Sequence, residues 1–101
     1  MRLRIGPGRD GGTLLVEGEL DLATAGQLRD AIDLCAVQDG DLVIDCSALS
    51  FIDAAGTHTL VSIAEQMPEG GRLVLLGPRG LVLQVMAILR VDHHPRVEIR
   101  P

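Results

Sequence analysis

The stretch DLVIDCSALSFIDAAGTHTLVSIAEQM, residues 41–67, joins a strand signal to a helix signal and decides the fold. Leu42, Val43 and Ile44 form an apolar run between acidic residues, the mark of a buried strand. Cys46–Ser50 reads as a short loop, after which Phe51 and Ile52 return to the core. Asp53 follows, immediately before Leu60, Val61, Ile63, Ala64 and Met67, which recur at helical spacing. A carboxylate there can cap the helix by accepting a bond from an orphan N–H of the first turn. Ala54, Ala55 and Gly56 make up that turn, so nothing bulky covers the helix start. Its N–H groups and positive dipole end are expected to face a partner or an anion.

Working outward, Arg2–Ile5 and Thr13–Gly18 read as two strands of an antiparallel hairpin across the turn Gly6–Gly12. Thr24 with Gln27 has the spacing of a capping box, opening a helix whose buried stripe is Leu28, Ala31, Ile32 and Cys35 and which ends by Asp39–Gly40. Downstream, Pro68–Gly71 is a turn and Arg72–Leu76 a strand. Pro78 suits the first turn of a third helix running to about Arg90. Residues Leu81–Leu89 of that helix are apolar around almost the whole circumference. We expect Leu81, Val85, Ile88 and Leu89 to pack on the sheet while Val82, Leu83 and Met86 widen the apolar surface. Such a helix is either unusually enclosed or offers a face to another chain, including a second copy. Arg96–Arg100 alternates as a last, edge-like strand. The predicted order is β-β-α-β-α-β-α-β, an α/β mixed sheet of about five strands with helices mainly on one face.

At 101 residues the chain suits one domain, 1–101, with one core. Its 47% apolar and 23% charged residues are those of a globular protein, and no apolar run approaches the roughly 18 residues of a membrane span. The N-terminal segment lacks a signal peptide's apolar stretch, so a cytoplasmic protein is expected. A net charge of −5, no Lys and scattered Arg argue against nucleic acid, and one Phe with no Trp or Tyr leaves no stacking platform.

Cys35 and Cys46 fall in core segments and read as buried free thiols. Asp21 and Asp53 are two carboxylates without a nucleophile or orienting partner, which argues against catalysis. Thr57 and His58 are sequence neighbours about 100° apart on a helix and do not form a pair. His93 and His94 are adjacent loop residues without metal-site spacing, and Gly6-Pro7-Gly8 lacks the Lys-Ser/Thr of a phosphate loop. No cofactor or metal is expected.

Two sets of residues carry a family resemblance. The first is Gly18-Glu19-Leu20-Asp21 with Ala23, Thr24 and Leu28–Ile32; the second is Leu42–Ser47 with Phe51–Gly56. In this order and spacing the whole chain resembles the STAS domain of bacterial anti-sigma factor antagonists. That resemblance implies a mixed sheet flanked by helices and a non-enzymatic switch that binds a GHKL-type serine-kinase anti-sigma factor and releases a sigma factor. It places partner contacts at Asp21, Ala23, Thr24, Asp53, Ala54, Ala55, Gly56, Thr57, His58, Gly77, Pro78 and Arg79. One departure stands out. Phosphorylated members carry the acceptor serine directly after the aspartate, and here that residue is Ala54. A methyl group accepts no phosphate, so the chain is either a constitutively competent antagonist or serves another partner. Two further readings stay open: a STAS subunit of a lipid-transport ABC system or sensor complex, and a nucleotide or small-anion sensor using the helix start at Asp53.

Overall fold

A computed structural model describes residues 2–8, 12–35 and 40–101. The elements run β1 (Leu3–Pro7), β2 (Thr13–Leu20), α1 (Ala25–Cys35), β3 (Leu42–Asp45), β4 (Leu49–Ile52), α2 (Ala54–Glu65), β5 (Leu73–Leu76), α3 (Gly80–Ile88) and β6 (Val97–Arg100). A single 3₁₀ turn, Val91–His93, separates α3 from β6. β1 and β2 form the predicted antiparallel hairpin, closed where Gly8 N–H donates to Thr13 O at 2.8 Å. Its tip at positions 9–11, the end of the first helical unit at Asp39 and the side chain of Cys35 lie outside the described residues. The remaining pairings are parallel, in the order β1-β2-β3-β5-β6 with β4 also beside β2.

Among the described residues the sheet therefore has six strands, not five. The additional strand, β4, falls where Cys46–Ser50 reads as a loop. It does not alternate: Leu49 and Ile52 are buried while Ser50 and Phe51 are exposed. Phe51 thus faces outward and does not plug the core. Room for β4 comes from a change of neighbour along β2, which pairs with β3 through Thr13–Leu15 and with β4 through Gly18–Leu20. The register slips between Gly18 and Glu19. Gly18 has φ +100°, and a Cβ there would lie 2.0 Å from Arg2 O, so only glycine fits the bulge.

One cluster forms the core. It unites alternate strand residues Leu3, Val16, Leu20, Leu42, Ile44, Leu73, Leu75 and Val97 with the helical residues Leu28, Leu60, Ile63, Ala64, Val82 and Met86. The stripes expected on α1 and α2 are seen in Leu28 and the partly buried Ile32, and in Leu60, Ile63, Ala64 and Met67. The opposite sheet face carries Leu15, Val43, Val74 and Leu76, bordered in register by Arg4, Glu17, Asp45, Glu98 and Arg100. Arg72 and Arg100 both pair with Glu98, and the bond from Arg100 holds that carboxyl below its usual range. Long arginine stems lying over apolar residues let a sheet face do without a helix.

The expectation for α3 needs correction. Its buried residues are Val82 and Met86, one turn apart, with Val85 partly buried beside them. Leu81, Leu83, Ile88 and Leu89 are exposed, Ile88 to 77%. Uniform apolarity carries no phase, so the sequence could not show which side of this helix turns inward. The helix also starts later than Pro78 suggests, with Arg79 at the N-cap, and ends earlier, at Ile88, with Arg90 beyond it at φ 58°. Arg96 is more than an edge-strand residue. Its guanidinium donates to the carbonyls of Met67 (2.8 Å), Pro68 and Gly71 just beyond α2, where the helix dipole favours a cation. His94 is half-buried, not exposed, its Nδ1 accepting Arg96 N–H at 3.1 Å.

The start of α2 sits unusually close to the end of β2. Asp53 N–H donates to Leu20 O at 3.3 Å, and a Cβ on Gly56 would lie 2.3 Å from the same oxygen. Gly56→Ala should push α2 off the strand and cost about 1–3 kcal/mol, the range for overpacking. Urea unfolding measures this, and an unchanged midpoint would show that the spacing is set elsewhere.

Candidate functional site

Two of the predicted contact segments, 21–24 and 53–58, meet, and a carboxylate joins them. Asp53 has extended backbone at the N-cap of α2, where its Oδ1 accepts Gly56 N–H at 2.7 Å. Its Oδ2 accepts Leu22 N–H at 3.3 Å, thirty-one residues away in sequence. One side chain therefore caps α2 and tethers the turn that opens α1.

That turn is a capping box, shifted by one turn from the predicted position. Asp21 Oδ1 accepts from Ala23 and Thr24 N–H at 3.0 and 3.1 Å, and Thr24 Oγ1 accepts from Asp21 N–H at 3.0 Å. The reciprocal pair is Asp21–Thr24, not Thr24–Gln27. Thr24 Oγ1 also donates to Glu19 O at 2.8 Å, while Gln27 reaches away to Leu3 O at 2.8 Å.

Exposure sorts the predicted site residues. Ala23, Ala54, His58 and Arg79 are exposed, and Asp21, Thr24, Asp53, Ala55 and Gly77 are half-buried. Gly56, Thr57 and Pro78 are buried. Thr57 Oγ1 donates inward to Asp53 O at 2.9 Å. The segment Gly77–Arg79 follows β5 and leads into α3. Asp45 and Leu76, which end β3 and β5, are level with Leu15 of β2, whereas Ile52 is level with Leu20. Arg79 donates to Ser47 O at 3.2 Å, on the loop after β3.

Leu22 was missed by the sequence reading and is the most exposed of the large apolar residues, at 79%. A leucine ahead of a helix counts as core in any periodicity argument. The Asp-x-x-Thr spacing of residues 21–24 was the available signal, because a capping box turns its middle residues outward.

The site holds little for catalysis or for a free anion. The α2 dipole end is already met by the Asp53 carboxylate, so an external anion would have to displace the cap. Cys46 is buried and its thiol is pushed up to about 12, first by burial and then by the Asp45 charge, which removes the thiolate a nucleophile needs. The residues Arg29, Ile32, Ile63 and Met67 line a groove of about 240 Å³, but it lies toward the far ends of α1 and α2.

A family model described as the STAS domain matches residues 7–101. An anti-sigma factor antagonist from Mycobacterium paratuberculosis is similar in structure, with a TM-score of 0.79 at 22% identity, covering 95% of this chain and 85% of its own. The anti-sigma factor antagonist SpoIIAA in its unphosphorylated form gives 0.70 at 22% identity, with 96% and 86% covered. Part of the murine anion transporter Slc26a9 also matches, at 0.67 and 19% identity, covering 85% of this chain but 16% of the transporter. No curated protein sequence matches significantly. Among the described residues no helix is long and apolar enough to cross a membrane.

Removing the joint between the two turns should be measurable. Asp53→Ala loses the α2 cap and the Leu22 tether and should cost about 1–2 kcal/mol. Asp53→Asn keeps a single carbonyl acceptor and should cost less. Thermal melts rank the three proteins, and an Ala variant melting with wild type would remove the cap from the account.

Proposed function

This chain belongs to the STAS domain family, and on that premise we propose that it is a cytoplasmic, non-enzymatic anti-sigma factor antagonist acting by protein–protein binding. The partner is a GHKL-type serine-kinase anti-sigma factor, from which binding releases a sigma factor. The observation that carries this reading is the joined rim: the α1 and α2 starts are locked together by Asp53, with exposed small residues Ala23 and Ala54 between them. A rigid surface costs little ordering entropy on docking.

Ala54 makes the antagonist constitutive. In a phosphorylated relative the modification adds about −1.5 to −2 charges at this helix start. Here no hydroxyl follows Asp53 directly. Control then rests on partner supply and not on modification of this chain.

Placing a charge at that position imitates the missing step. Ala54→Glu should leave thermal stability nearly unchanged, because a first helical turn tolerates acidic residues. Binding to the host's purified anti-sigma kinases should fall about tenfold or more, some 1.4 kcal/mol. Equal affinities in calorimetry would move the interface away from this turn.

A second reading rests on α3. Leu81 and Ile88, seven residues apart and both exposed, share one side of a helix without a charged residue, which suits a second copy or a subunit of a larger assembly such as a lipid-transport ATPase. Ile88→Glu should keep the circular dichroism of wild type yet sediment as a smaller species. Equal sedimentation at every concentration would eliminate the homodimer and leave this face to a different chain.

A further inference from the structure

We propose that Leu22 is the apolar anchor of the partner interface, a knob that fits an apolar pocket bordered by basic side chains on the anti-sigma factor; this rests on the function proposed above. Lone exposed leucines are common on protein surfaces and mean little by themselves. Leu22 differs in how it is held. At 79% exposure it forgoes most of the burial free energy a leucine can supply to folding. Yet its backbone is tied on both sides, with Leu22 N–H on Asp53 Oδ2 and the Asp21–Thr24 box closed around it. Such a residue is presented outward by bonds that cross between two helices, so little conformational freedom remains to be lost when a partner covers it.

The surroundings give the partner's shape and charge. Ala23 and Ala54, both exposed, bring only methyl groups to the surface beside it, so the leucine side chain stands above low ground. A flat partner would meet the knob and leave gaps over the alanines, whereas a pocket takes the knob and lets the rest of the two surfaces close. Interfaces concentrate their affinity in such buried central anchors. Segments 21–24 and 53–58 contain Asp21 and Asp53 and no Arg or Lys, which favours cations around that pocket.

The test is calorimetric titration of the whole chain with the purified GHKL-type anti-sigma factors of its own host. Four proteins are compared: wild type, Leu22→Ser, Leu22→Met and Ala54→Glu. The knob predicts about a tenfold or greater loss for Leu22→Ser, near wild-type affinity for Leu22→Met, and unchanged melting for both. Wild-type affinity in Leu22→Ser alongside weakened Ala54→Glu overturns the knob and leaves the rim reading standing. Full affinity in both Leu22→Ser and Ala54→Glu overturns the rim itself. A wild type that binds none of these proteins overturns the proposed function and this anchor with it. Lowered melting in Leu22→Ser would make Leu22 a folding residue and also overturn the proposal.

Discussion

The carbonyl oxygen of Leu20 is the point on which the arrangement turns. It accepts Asp53 N–H, and it lies where only a residue without a side chain can follow three positions later, at Gly56. This close approach brings the first turn of α2 against the last residue of β2. From there the chain continues into Asp21 and Leu22, so the start of α1 is carried to the same place. Asp53 then completes the join with its two oxygens, one for each helix start. Had Gly56 carried a methyl group, the carboxylate would stand farther from Leu22 and the two turns would be independent loops.

Much of the fold was legible because its elements differ in period. β3, β5 and the helices α1 and α2 have distinct patterns, and Asp53 was recognisable as a cap before a helical run. What stayed hidden depends on contacts between distant residues. β4 buries its first and last residues, a pattern with no period of two, and it exists because the bulge at Gly18 turns β2 toward a new neighbour. The phase of α3 is undetermined by a segment apolar on every side; only packing selects Val82 and Met86. Asp53 was legible as a helix cap, whereas its second bond, from Leu22 N–H thirty-one residues away, leaves no local signal in the sequence.

The two ends of the sheet's helical layer are held differently. At the rim the helix starts are satisfied by carboxylates, Asp21 and Asp53, which complement the positive ends of two dipoles. At the other end Arg96 gathers the carbonyls that follow α2, and Arg29 reaches from α1 to Ser62 Oγ at 2.6 Å. Both arginines bind α2 from other elements, so α2 is fixed at its two ends by opposite charges. A partner docking at the rim meets a helix that cannot swing, which favours recognition by shape over adjustment after contact.

Rigid presentation also bears on control. The hydroxyls of Thr24 and Thr57, at the starts of α1 and α2, each already serve the fold. Thr24 Oγ1 accepts from Asp21 N–H and donates to Glu19 O, so a phosphate there would break the box that presents Leu22. Thr57 is 4% exposed and donates to Asp53 O, so a kinase would have to unwind the start of α2 to reach it. Both modifications would dismantle the rim, in contrast to one that decorates an exposed position following Asp53. A phosphate on either threonine would therefore break contacts that hold the starts of α1 and α2, whereas the exposed Ala54 side chain makes none of them.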